Sequence, residues 1–251
     1  MTHAFELLYV LVSKDLRVRY KSSVLGYLWA VANPLAFTFV YYVTFKLVIR
    51  NSMSHFGLYL VTGLFPWVWA ANALIQSTGA YRNNPSLVRK VKLPRAILPL
   101  SYVTQEMVHF LLAAPILAAG VALSTGGHHA GWLWLIPAMA LVQMLMLYPI
   151  SLALAAANVL VRDVEYLVAI GLQMLFFLTP IVYPPGDIPV AYRRWFALNP
   201  FAPMIGAWRG VLYDGTLDAG AVARCLAFAA VAGIVAVGIH RAVEPRIGER
   251  L

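Results

Sequence analysis

The chain has 251 residues, 61% of them hydrophobic and only 12% charged, with a mean hydropathy of +0.75. That balance excludes a soluble domain of this size and marks an integral membrane protein. The net charge of +9 does not point to nucleic acid, because the cations sit in the gaps between apolar runs and not on the face of a soluble fold.

At the N-terminus the apolar run 7–12 is too short for a signal peptide and no small-residue cleavage pattern follows it, so no processing is expected. Residues 3–21 fit an interfacial helix, with Phe5, Leu8, Val12 and Leu16 on one side and Lys14, Arg17 and Lys21 on another. Arg17, Arg19 and Lys21 alternate just before an apolar run broken by Asn33-Pro34. Cations are costly in hydrocarbon but favoured at the cytoplasmic headgroup level, so this junction marks where the first span begins and offers a cluster for an anionic lipid head.

Apolar runs near twenty residues long occur at 24–48, 58–75, 97–123, 132–160, 164–182 and 219–242, predicting six spans. With the N-terminus inside, thirteen of the 19 Lys and Arg residues fall on the cytoplasmic side, so the positive-inside rule places both termini in the cytoplasm. The segment 79–98 holds the densest charge of the inner side and a local helix signal: Asn84 as N-cap, Pro85 at the first helical position, a stop before Pro94. Its Leu87, Val88 and Val91 lie near one face, with Arg89, Lys90 and Lys92 around the rest, a pattern that suits docking into a partner's groove. A basic loop that only contacts anionic lipid is the plainer reading of the composition, but the capped helix favours docking.

Within the third span Glu106 lies far from both ends, and His109 follows one turn later. An intramembrane acid is functional by default, but a proton relay needs several such groups, so a bundle-stabilising hydrogen bond is expected. Tyr27, Trp29, Phe37, Phe39, Tyr41, Tyr42 and Phe45 crowd the first span, and Phe176 and Phe177 the fifth. Such rings can stack on the apolar faces of sugars or simply pack against lipid and core. Asp163 and Glu165 complement the dipole at the start of the fifth span.

Between the fifth and sixth spans, residues 183–218 carry five prolines and two short helical pieces, about 190–198 and 204–213. Each reaches only about 15 Å, half a hydrocarbon core. Trp195, Phe196 and Trp208 beside Arg193, Arg194 and Arg209 suit outer interfacial helices with guanidinium groups at the headgroups, or a re-entrant element. The six histidines show no metal-ligand spacing, the adjacent His128 and His129 suit a solvated Gly-rich turn, and the lone Cys225 permits no disulfide or cysteine-based metal site. No nucleotide-binding glycine loop is present.

Taken in order, Arg17-Val18-Arg19-Tyr20-Lys21, Leu25-Gly26-Tyr27-Leu28-Trp29, Asn33-Pro34, the Asn84-Pro85 to Pro94 loop, Arg162-Asp163, Gln173 with Phe176-Phe177-Leu178-Thr179-Pro180-Ile181-Val182-Tyr183, and Asn199-Pro200 resemble the membrane subunit of type-2 ABC exporters, and within them the permeases for O-antigen and teichoic-acid chains. The resemblance implies an all-α permease forming a single transmembrane domain over 1–251, with six spans, an N-terminal interfacial helix and two short outer helices between spans five and six. It implies a homodimer in the bacterial inner membrane, paired with two ATP-binding cassette subunits that hold ATP and Mg, exporting a polyprenyl-pyrophosphate-linked glycan; no cofactor and no catalytic residue are expected on this chain. It also implies roles: Arg17, Arg19 and Lys21 for the pyrophosphate, Tyr27, Tyr41, Tyr42, Phe176 and Phe177 along the glycan path, and Tyr81, Asn84, Pro85, Leu87, Val88, Arg89, Lys90 and Pro94 in contact with the ATPase. A drug or lipid exporter of the same architecture, or a membrane-embedded glycosyl- or acyltransferase, are the competing readings.

Overall fold

The structure is a computed structural model that describes residues 2–21, 23, 26–50, 52–90, 94–125, 127 and 130–250, with all helical side chains in these ranges except those of 2–4, 19, 20, 90, 249 and 250. Among the described residues it contains ten α-helices and no strand: α1 Thr2–Tyr20, α2 Trp29–Tyr42, α3 Phe56–Thr78, α4 Pro85–Lys90, α5 Ile97–Thr125, α6 Trp132–Leu160, α7 Val164–Leu178, α8 Arg193–Ala197, α9 Phe201–Arg209 and α10 Ala219–Arg250. A 3₁₀ turn, Gly26–Leu28, leads into α2, and a π-helical turn, Val43–Val48, ends it. Helical backbone satisfies its own N–H and C=O groups, the condition any segment meets inside hydrocarbon.

Five segments are long and apolar enough to cross a membrane: Gly26–Val48, Phe56–Thr78, Ile97–Thr125, Trp132–Leu160 and Ala219–Gly248. The expected fifth span, 164–182, is helical only from Val164 to Leu178, about 22 Å of rise. Pro180 explains the stop: it clashes with an α-conformation at the preceding residue, and Thr179 is extended at φ −103°, ψ 134°.

Helix α3 sits at the centre, packed against α2, α5, α6, α7 and α9, while α10 runs along α6. On α10 the buried face reads Ala221, Cys225, Ala229, Ala236, His240, Val243 and Ile247; its small residues let the backbones of α10 and α6 approach closely. Across the bundle, Trp69 Nε1 donates to the Val103 carbonyl at 3.3 Å, Asn158 Nδ2 to the Thr78 carbonyl at 3.0 Å and Trp132 Nε1 to the Val211 carbonyl at 2.9 Å.

A second apolar cluster closes one end. It joins Leu11 of α1, Ala80, Tyr81, Val88, Ile97, Leu98, Ala155, Ala156, Val159, Val243 and Ile247. Helix α1, the described residues around α4 and the last turns of α10 therefore meet at one end of the bundle; Lys14, Arg17, Arg82, Arg89, Arg95, Arg162 and Arg241 neighbour these residues in sequence, and it is called the basic end below. The buried face of α1 is Leu11 and Val12 with Leu7 and Leu8 packed beside them, whereas Phe5, expected on that face, is 75% exposed with Tyr9 and Val18. Helix α1 thus carries two apolar sides, one against the bundle and one exposed.

The connection after α7 divides into two unlike pieces. Helix α8 stays outside, with Arg193, Arg194 and Trp195 exposed, as an interfacial helix requires. Helix α9 instead enters the bundle between α3 and α10, and Trp208, expected at the interface, is fully buried. A hydrogen bond to Gln143 on α6 satisfies the indole N–H, so the ring can leave the interface without an orphaned donor.

Candidate functional site

Three groups of side chains gather the polar and aromatic residues that the fold does not need for simple packing. The first is a cavity of about 340 Å³ between α2, α3 and α7, lined by Phe37, Tyr41, Trp67, Gln173, Phe176 and Phe177 among others. Tyr41 stacks on Phe176 at 5.2 Å between ring centroids, and Phe176 meets Trp67 at 5.9 Å and Phe177 at 5.0 Å. Phe177 remains 54% and Phe37 50% exposed. The result is an aromatic wall whose inner layer is fixed by packing and whose outer rings face away from the chain.

Two of the rings grouped with these by sequence lie elsewhere. Tyr42 turns toward the start of α3, 6.4 Å from Phe56, because one residue along a helix is a 100° turn away from Tyr41. Tyr27, 48% exposed, sits at the basic end beside Lys14, Arg17, Val18 and Lys21, with which it lines an open cleft of about 650 Å³. Arg17 and Lys21 are exposed there; the side chain of Arg19 lies outside the described residues.

Beyond the aromatic wall, the break after α7 is held by side chains rather than by a helix. Arg209 donates from Nη1 to the Pro180 carbonyl at 2.6 Å and from Nη2 to the Ile181 carbonyl at 2.8 Å, while its guanidinium lies 3.6 Å over the Tyr59 ring. Tyr59 Oη donates to the Tyr183 carbonyl at 2.8 Å, and Asn199 Nδ2 to Thr179 Oγ1 at 2.8 Å and the Leu178 carbonyl at 3.1 Å. Irregular backbone at membrane depth needs such partners. Arg209 therefore points inward, not to the headgroups as its sequence neighbourhood predicts. Gly63 makes room for it: a Cβ there would stand 2.8 Å from Nη2. The Tyr183 hydroxyl donates to the Phe177 carbonyl at 2.7 Å, and burial raises this phenol above its ordinary pKa.

The second group surrounds Glu106. Gln76 Nε2 donates to its Oε1 at 2.7 Å and Asn72 Nδ2 to its Oε2 at 3.4 Å, while His109 Nδ1 lies 3.5 Å from Oε1. The carboxyl thus ties α5 to α3, as the bundle-stabilising reading expects. It also lines a cavity of about 510 Å³ with Trp29, Asn33, Trp69, Asn72, His109 and Phe110.

The third group is the surface of α4. The Asn84 carbonyl accepts the Val88 N–H at 3.1 Å, the first backbone bond of α4. Its side-chain Nδ2 donates backward to the Ala80 carbonyl at 3.0 Å and to Tyr102 Oη at 3.1 Å, fixing α4 on α5. The apolar face expected to meet a partner is turned home: Val88 is 6% and Tyr81 0% exposed, and Leu87 packs on the same cluster. With only six residues, α4 has one apolar side, and the chain's own core takes it. Burial holds the Tyr81 phenol well above its ordinary pKa, and its hydroxyl meets His240 Nδ1 at 3.4 Å. Outward-facing residues are Asn83, Pro85, Ser86, Arg89 and Pro94. Val91 and Lys92, the side chain of Lys90, and His128 and His129 lie outside the described residues. Among the described residues no group of three or more His, Cys, Asp or Glu could hold a metal ion.

The O-antigen export system permease protein RfbA of Klebsiella pneumoniae is 37% identical over 249 residues, covering 99% of this chain and 96% of the relative. The RfbA permease of Myxococcus xanthus is 32% identical over 84% of this chain and 82% of its own length. The polysialic acid transport protein KpsM of Escherichia coli is 26% identical over 92% of this chain and 91% of its own. A family model described as ABC-2 type transporter matches residues 6–213, from α1 through the buried α9 and the turn that follows it, and the chain is a multi-pass membrane protein of the ABC-2 type transporter family.

Proposed function

We propose that this chain is the membrane-spanning subunit of an ATP-driven exporter that carries a polyprenyl-pyrophosphate-linked polysaccharide of the O-antigen class across the bacterial inner membrane. The observation that carries the reading is the 37% identity with an O-antigen export permease along 99% of the chain. Two copies pair with two ATP-binding cassette subunits that hold ATP and Mg, and both termini face the cytoplasm, the side to which the basic end belongs.

In this reading the chain performs no bond chemistry; it supplies a route and a mechanical link. Arg17, Arg19 and Lys21 attract the pyrophosphate through charge-assisted hydrogen bonds. Tyr27 stands next to that cluster and receives the first sugar, and the wall of Tyr41, Phe176 and Phe177 continues the path, offering ring faces to apolar C–H faces of the glycan. Tyr42, turned toward α3, supports the wall from behind. The ATPase meets α1 and the exposed part of α4, Pro85 and Arg89, with Pro94 and Lys90 at its edge. Tyr81, Asn84, Leu87 and Val88 transmit the push, because they lock α4 to α5, α6 and α10.

The deciding experiment reconstitutes the chain with its ATPase and measures ATP hydrolysis against lipid-linked glycan. Replacing Arg17 and Arg19 together by Ala is expected to leave the complex assembled while abolishing most of the glycan stimulation. Unchanged stimulation would remove the pyrophosphate assignment, and stimulation by small drugs or phospholipid in place of glycan would move the cargo to the competing class.

A further inference from the structure

Arg209 poses a separate question. A buried cation is costly unless paired, yet among the described residues no carboxylate forms an ion pair with it. Two of its five N–H groups go to the Pro180 and Ile181 carbonyls, and buried Nε has no hydrogen-bond partner. The same guanidinium lines a cavity of about 270 Å³ together with Met53, Ser54, His55, Tyr59, Thr62, Tyr213 and Asp214.

A helix start and two exposed polar side chains complete this cavity beside Arg209. Helix α3 starts at it: the first helical bonds run from Leu58 and Tyr59 to the His55 carbonyl, so the N–H groups of Phe56 and Gly57 precede the ladder at the positive end of a 23-residue helix. His55 itself is held in the left-handed region at φ 52°, a conformation that persists where its surroundings enforce it. Ser54 and His55 add a hydroxyl and an imidazole at the exposed mouth.

We propose that this cavity binds the phosphate of a phosphodiester at the end of the bundle opposite the basic end, with Arg209 as its counter-charge and Ser54 and His55 closing over it. The one acid on the wall, Asp214, is exposed and disfavours a multiply charged anion, whereas a phosphodiester carries a single negative charge. The position at the start of α3 is where phospholipid headgroups lie. The assignment is independent of which cargo the chain exports.

The test titrates the full-length chain in detergent with phosphatidylglycerol, with diacylglycerol as a phosphate-free control, and with inorganic phosphate, reading bound ligand by native mass spectrometry. One phosphatidylglycerol per chain is expected to bind at least about tenfold more weakly to Ser54→Glu, whose carboxylate would neutralise Arg209 from an exposed position and leave the carbonyl contacts intact. Ser52→Glu, also exposed but not part of the cavity wall, is expected to bind as the parent does, and His55→Asn, which tolerates the left-handed backbone, to lose part of the affinity. If inorganic phosphate binds in a Ser54→Glu-sensitive way and displaces the lipid, the site stands and its occupant is a soluble phosphate. If diacylglycerol and phosphatidylglycerol bind alike, or if Ser52→Glu weakens binding as much as Ser54→Glu, the proposal is overturned.

Discussion

Gln143 joins three helices through one carboxamide, and removing its partners one at a time measures what holds α9 inside the bundle. Its Oε1 accepts the Trp208 indole N–H and its Nε2 donates to the Pro66 carbonyl at 3.0 Å; both side chains are fully buried. Trp208→Phe keeps a ring in place but orphans Oε1, a cost of about 1–3 kcal/mol, with a packing loss from the smaller ring added. Gln143→Leu orphans the indole N–H by a similar amount. In the double variant neither orphan remains, so the costs should not add: the coupling energy is expected at about 0.6–1.7 kcal/mol, the range of interhelical hydrogen bonds in membranes. The assay is reversible unfolding of the purified chain in mixed micelles, run for parent, both single variants and the double. Additivity within about 0.3 kcal/mol would refute the claim that this bond anchors α9.

Replacing Glu106 by Leu removes the oxygens that accept from Asn72 and Gln76, whereas Glu106→Gln retains an acceptor oxygen; the first is expected to lower unfolding stability by about 1–3 kcal/mol and the second by less, with transport per folded molecule preserved in the second. A loss of transport in Glu106→Gln at unchanged stability would convert this residue from a tie into a proton-handling group. At the basic end, Val88→Asp buries an unpaired charge and is expected to reduce the yield of folded chain. Arg89→Glu lies on the exposed surface, and co-purification with the ATPase should drop while the melting of the isolated chain does not. The opposite pattern would remove α4 from the coupling contact.

Much of the architecture was legible because hydropathy and charge act locally. Runs of about twenty apolar residues allow no other placement than hydrocarbon, and the cations of 14–21, 79–98 and the C-terminal segment mark a common end, which the joint cluster of Leu11, Val88 and Ile247 brings together. The short helices after α7 were visible from their prolines and length. Their fates were not: α8 and α9 carry the same kinds of residue, Trp beside Arg, and an interfacial reading fits both. What separates them is the presence of Gln143 and Pro180 at the right distance to satisfy Trp208 and Arg209. Similarly, the apolar residues of α4 were recognisable as one face, but nothing local says whether that face meets a partner or the chain's own core.

The sequence by itself determined that this is a multi-span membrane protein, where its spans begin to within a few residues, and which segments carry charge, because desolvation cost depends on composition and run length alone. Only the tertiary structure decided which side chains satisfy one another: that Arg209 clasps the broken end of α7, that Glu106 ties α5 to α3, that Tyr41 and Tyr42 part company, and that α9 lies inside. Those outcomes depend on partners 20 to 160 residues away in sequence, as in Asn199 with Thr179 and Tyr81 with His240, and a buried polar group is stable only where such a partner arrives.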